Sequence, residues 1–192
     1  NAYNGVYTTF IGIGVDFNTE LIEQLTKIRG ANYYSVHTSQ EFKTRMDDEF
    51  ELMVTPLVFN LQMTVQSEGF KIKKVYGSPE ADLATDEIMV INTLFPSNSE
   101  DGKVKGGLVL LQLEKTGDNP KLTLRVSYED RNGKFDAQEA VVELNSSTGK
   151  NTGIKKGILL SRYANLLKNW MIAERSDIDD PESDFKLTCY PP

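Results

Sequence analysis

The sequence predicts an α+β protein: a partial doubly wound α/β unit, then an antiparallel β-sandwich, then a C-terminal helix. Three observations predict it. Over residues 5–55 an apolar, β-branched strand pattern is twice followed by a helical period. From Leu57 to Leu144 short runs of alternating apolar and polar residues are separated by turn residues. From Ile154 to Trp170 the apolar residues return to helical spacing. The 192 residues suffice for one good-sized domain or two small ones, and 39% hydrophobic with 26% charged content is ordinary for a soluble globular chain.

The first segment, "GVYTTFIGIGV" (5–15), is nearly continuous in hydrophobicity, which suits a strand buried on both faces in a parallel sheet. In "DFNTELIEQLTKIRG" Asn18 is the predicted N-cap. Glu20 favours the first turn, Leu21, Ile22, Leu25 and Ile28 keep helical spacing, and Gly30 supplies the stop. "NYYSVHT" is a second strand. "SQEFKTRMDDEFELMVTP" reads as one helix, with Thr38 and Glu41 at capping-box spacing, Phe42, Met46, Phe50 and Met53 on one stripe, and Pro56 ending it.

The period then changes. Leu57, Phe59, Leu61, Met63 and Val65 alternate with polar residues, and "SEG" is expected to join this strand to "FKIKKVYG" as a hairpin. "EIMVINTLF", "GGLVLLQLEK", "KLTLRVSYED" and "DAQEAVVEL" complete six strands, with "PSNSEDGK", "TGDNP" and "DRNGK" as turns. The Asn-Gly of "RNGK" (131–134) signals a type I′ hairpin. "NSSTGKNTG" (145–153) is a linker, and the last residues are acidic and expected to be extended or partly disordered. The predicted organisation is therefore 1–55 α/β, 56–146 β-sandwich, 147–175 linker and amphipathic helix (152–174), and 176–192 acidic tail.

Candidate chemistry is sparse. "FIGIGVDFN" (10–18) lacks the third glycine of a dinucleotide fingerprint, since Phe17 stands there, and no P-loop ending is present. Gly12 and Gly14 are therefore read as allowing close packing of the strand against helices, with Asp16 and Asn18 serving the helix start. One cysteine, Cys189, and one histidine, His37, leave no internal disulfide and no His or Cys cluster for zinc or iron. His37 has no nucleophile motif beside it and reads as a strand-end residue. Asp47, Asp48, Glu49 and Glu51 fan around their helix rather than pairing across a cleft. Asp177, Asp179, Asp180, Glu182 and Asp184 lack calcium-loop spacing, and Pro181 interrupts them. Lys150, Lys155, Lys156, Arg162 and Lys168 give the last helix a basic side, read as solvated while its apolar side packs onto the sandwich. Tyr33, Tyr34 and Trp170 could line a groove, but packing is the commoner use of such side chains. A net charge of −7 gives no basic footprint for nucleic acid, and no apolar run is long enough to span a bilayer.

"YTTFIGIGVDFNTELIEQLTKIRGANYYSV" followed by "EFKTRMDDEFELMVTPLVFNLQMTV" resembles the last third of a von Willebrand factor A domain of the bacterial type that continues into a β-rich region. "VYG" (75–77) and "LLSRYANLLKNW" (159–170) fit the region that follows. The resemblance covers most of residues 5–175. It implies a secreted or envelope protein whose metal-dependent adhesion site, holding magnesium or calcium, uses an Asp-x-Ser-x-Ser loop, a later Thr and a later Asp. All of these would lie before residue 1, so the resemblance assigns no metal ligand, cofactor or catalytic residue to this chain. Asn1 is not an initiator Met and the chain opens almost directly into a strand, which leads to the expectation of a piece of a larger protein.

The expected function is noncatalytic: a protein-binding, adhesion or scaffolding module, with no nucleic-acid partner and no membrane span. One alternative is an oligomerisation module that uses the strand at 5–15, whose edge would be unpaired without upstream neighbours. A hydrolase using the carboxylates is disfavoured, because no nucleophile–base–orienter set can be assembled.

Overall fold

The computed structural model describes residues 2–14, 18–100, 103–104, 106–142 and 152–179, which fall into two compact units, Asn1–Leu144 and Asn145–Pro192. The chain is mixed α+β with antiparallel sheets and a C-terminal helix.

In the first unit a short 3-10 turn (Ala2–Asn4) leads to β1 (Thr8–Ile13), α1 (Thr19–Thr26) and β2 (Ala31–Val36). The two strands pair in parallel, Thr8 opposite Ala31 through Ile13 opposite Val36, as a strand–helix–strand connection requires. Asn18 caps α1 by accepting from the Leu21 N–H at 3.0 Å. β1 is shorter than the apolar run that predicts it and is only half-buried, with Ile13 81% exposed. The expectation of burial on both faces is corrected by topology: among the described residues β1 has one neighbouring strand, so no strand covers its second edge.

The predicted single helix before Pro56 is two, α2 (Ser39–Asp47) and α3 (Phe50–Val54). Asp47, Asp48 and Glu49 crowd the carbonyl end of α2, where negative charge opposes the helix dipole, and Asp48 and Glu49 both donate to the Thr44 carbonyl. The proposed stripe is broken with the helix: Met53 is buried, whereas Phe42 and Phe50 are exposed. Thr9 Oγ1 and Asn32 Nδ2 both donate to the Met53 carbonyl, at 3.0 and 3.1 Å. The Arg45 guanidinium lies 4.9 Å from the Tyr34 ring centre. α3 thus sits over Thr9 and Asn32 and α2 over Tyr34, on one face of the parallel pair, while Ile13 at the strand end stays exposed.

Six longer strands follow: β3 (Val58–Glu68), β4 (Phe70–Tyr76), β5 (Glu87–Leu94), β8 (Leu110–Lys115), β9 (Lys121–Glu129) and β10 (Phe135–Val141). A two-residue pair, β6 (Ser99–Glu100) and β7 (Lys103–Val104), forms inside a predicted turn. One antiparallel sheet has the order β10-β9-β3-β5, and β4 pairs with β8 in another. Val65, Ile88 and Leu122 of the first sheet form the buried core, against which Phe70, Ile72 and Val75 of β4 and Leu111 and Leu113 of β8 pack.

The expected β3–β4 hairpin is not formed. At Gly69 the chain leaves one sheet for the other, and a Cβ there would approach Pro120 Cα to 3.2 Å and Gly117 Cα to 3.5 Å. Alternation of side chains specifies a strand but not its partner, so this corner was invisible in the pattern. The β9–β10 hairpin is present, but its turn is not type I′, which needs positive φ at both central residues. Only Gly133 in that turn has positive φ (+80°), and Asp130 organises it by accepting from the Asn132 and Lys134 N–H groups at 2.8 and 2.9 Å.

The second unit is described by itself. It contains α4 (Thr152–Asp179), which runs past the predicted end at 174 and takes in the first residues assigned to the acidic tail. At 100° per residue Leu159, Tyr163, Leu166, Leu167, Trp170 and Met171 fall on one broad side of it. No helix among the described residues is long and apolar enough to cross a membrane.

Candidate functional site

The parallel pair brings together the ends of β1 and β2 with the first turn of α2, the position where open α/β sheets usually hold ligands. His37 follows β2 directly. Its Nδ1 donates to the Gly14 carbonyl at 2.7 Å, and its Nε2 lies 3.5 Å from Ser35 Oγ. The Glu41 carboxylate accepts from the backbone N–H of His37 (2.7 Å) and of Thr38 (3.2 Å), and Thr38 Oγ1 accepts from the Glu41 N–H at 3.1 Å. The predicted capping box is thus formed and carries one extra donor. Above all the His37 N–H holds the Glu41 carboxyl below the ordinary carboxylate range. The serine is half-buried, the imidazole and the carboxylate are exposed, and the carboxylate is turned to the backbone rather than to the ring. The cluster ties two strand ends to a helix start.

The glycine of the opening motif has a different purpose from the one its sequence suggests. A Cβ at Gly12 would stand 2.1 Å from Tyr33 Oη, so the glycine makes room for a ring from the neighbouring strand, not for a helix. Gly14 has open space around it and a φ of +123°, so conformation, not packing, calls for glycine there. Asp16 lies outside the described residues, as do Lys150, Asp180, Glu182, Asp184 and Cys189.

The other candidates are dispersed. Glu49 pairs with Arg45 and accepts from Asn98 Nδ2 at 3.4 Å, so it is turned away from Asp47 and Asp48. Trp170 Nε1 donates to Glu174 Oε1 at 2.9 Å within α4. Tyr34 lies under Arg45 and Tyr33 lies over Gly12, so neighbouring positions on β2 place the two rings on opposite faces. Among the described residues no group of three or more His, Cys, Asp or Glu side chains is placed to hold a metal ion.

The most organised polar cluster is one the sequence did not announce. Arg29, in the turn after α1, makes a bidentate pair with Glu129 at the end of β9, with Nη2–Oε1 at 2.6 Å and Nη1–Oε2 at 3.0 Å. Asn60 Nδ2 adds a third bond to Glu129 Oε2 at 3.0 Å. Asn60 reaches it from a left-handed backbone (φ +49°) where β3 slips register between Phe59 and Gln62. The guanidinium is sandwiched between Phe59 (3.9 Å) and Tyr3 (4.6 Å). Beside it, the Gly30 N–H donates to Thr93 Oγ1 at 2.8 Å. Glu129 is 6% exposed, so this clamp joins the α/β part to the large sheet through a desolvated ion pair. A lone arginine beside a glycine and a lone glutamate at a strand end carry no periodic signal, and their pairing depends on the tertiary fold.

The third element is the open edge. The Thr8 N–H donates to Gly30 O and the Gly14 N–H to Val36 O, so the even-numbered residues of β1 face β2. Alternation turns the N–H and C=O groups of Thr9, Ile11 and Ile13 to the other edge, where no strand of the described residues pairs. Exposed Tyr3, Val6 and Ile13 lie along this segment. Compared with known proteins, the sequence matches no family model, and no curated protein matches it either.

Proposed function

We propose that this chain is a noncatalytic protein-binding module of adhesive or scaffolding type that presents the open edge of β1 to its partner. One observation carries the reading: an apolar parallel strand, held by α3 at Thr9 on one face, keeps an edge that no strand among the described residues pairs, beside exposed Val6 and Ile13. Strands of parallel sheets are ordinarily enclosed, and a two-stranded sheet is marginal by itself. The resemblance to the C-terminal part of a von Willebrand factor A domain, whose bacterial members are secreted or envelope-associated, supports the same reading.

A peptide library displayed on phage tests the proposal. Selection on the whole chain should enrich extended, β-branched sequences that lose binding to an Ile13→Lys variant, because the lysine lies on the edge and the residue is already exposed. Enriched peptides that bind both proteins equally, or no enrichment, would refute it.

A further inference from the structure

Resting on that reading, we infer that the strand taken up by the β1 edge is β1 of a second copy, paired antiparallel about a two-fold axis through Ile11. The outward-facing residues are Thr9, Ile11 and Ile13, a set symmetric about Ile11. A two-fold axis there sets Ile11 against Ile11 and Thr9 against Ile13 as hydrogen-bonded pairs, so all six N–H and C=O groups on each edge find partners. The same register sets Phe10 against Gly12, so no pair of bulky side chains meets across the seam on that face. On the opposite face it builds a ladder of Ile and Thr side chains. The two-stranded sheet becomes four-stranded, in the order β2-β1-β1-β2.

Charge points to a copy of the chain as the occupant. Residues 2–14 contain no charged residue and no proline, although the whole chain carries −7. Monomeric proteins guard such edges with lysine, proline or a bulge, and β1 has none of these. A neutral segment can meet its own copy without like-charge repulsion. The pairing covers Ile13, which is 81% exposed in the single copy. One strand pair with flanking side chains covers less than the roughly 800 Å² per partner of a standard interface, so the dimer forms reversibly with concentration.

Light scattering on the whole chain over roughly a hundredfold range of concentration should show the mass rising to that of a dimer. Ile11→Pro, which removes an outward N–H while leaving the β1–β2 bonds of Phe10 and Gly12, should remain a monomer with an unchanged far-ultraviolet spectrum. Should that variant unfold, Ile13→Lys serves instead and should weaken the dimer at least tenfold. Register is read with cysteines in a Cys189→Ser background. Ile11→Cys should form a disulfide with itself, since paired Cα atoms stand about 5.5 Å apart, within the bridging range. Thr9→Cys and Ile13→Cys should cross-link only when mixed. A wild-type monomer at every concentration overturns the inference, as does a dimer indifferent to both edge substitutions or one that Ile11→Cys cannot trap. A monomer that still selects peptides at this edge would leave the binding function standing and remove only the self-pairing.

Discussion

Replacing Arg29 by methionine removes the charge from the clamp while keeping a side chain between Tyr3 and Phe59. The side chains of Arg29 and Glu129 are 17% and 8% exposed, so the loss leaves a carboxylate out of water with Asn60 as its remaining donor. Breaking a buried pair by deleting one partner costs about 3–5 kcal/mol, and losing the cation between two rings adds up to about 2 kcal/mol. A domain of this size has only about 5–15 kcal/mol in hand. With a urea slope of about 2 kcal/mol/M, the unfolding midpoint followed by circular dichroism should fall by about 2 M. The double variant Arg29→Met/Glu129→Leu should recover most of that loss, because no charge is then left buried. The Lys73–Glu114 pair, whose side chains are 43% and 52% exposed, supplies the control: Lys73→Met should leave the midpoint unchanged. A loss below about 1 kcal/mol for Arg29→Met, or a double variant as weak as the sum of the singles, would refute the clamp as a desolvated ion pair.

Gly12→Ala should cost about 1–3 kcal/mol in thermal unfolding, since its Cβ must displace Tyr33, and Tyr33→Phe in that background should restore part of it. Thr38→Ala should lose about 1 kcal/mol of stability by urea denaturation through loss of the cap. The carboxyls of Glu41 and Asp130, held down first by the N–H groups of His37 and Lys134 respectively, should titrate by NMR below ordinary values. Because their pKa values are depressed by folding, their stabilisation is present above the unfolded-state pKa and is lost as pH falls through the folded one. Glu41→Gln should flatten that acid limb of stability against pH.

Local signals were read where the chemistry is local. Asn18 and the Thr38–Glu41 box act on backbone groups three residues away, so the sequence contains the whole interaction. The six main strands of the β region likewise follow their alternation. What escaped was set by partners far along the chain. The failed hairpin at Gly69 depends on Pro120 and Gly117, and the clamp depends on residues one hundred positions apart. The turn at Asp130–Lys134 departs from the Asn-Gly expectation for a local reason: the Asp130 carboxylate captures the Asn132 and Lys134 amides. The apolar run of β1 predicts a strand buried on both faces, with an open edge only where neighbouring strands are missing, so its low burial depends on the tertiary arrangement.

The position of β3 at the centre of its sheet also orders events during synthesis. Its two neighbours are β5 and β9, and Phe59 meets Glu129 only after seventy further residues have left the ribosome. β5 can join one flank earlier, but until then the other flank of the middle strand stays bare and the Arg29 latch has nothing to close on. Such distant pairing makes folding slow and leaves the nascent chain dependent on staying apart from its neighbours.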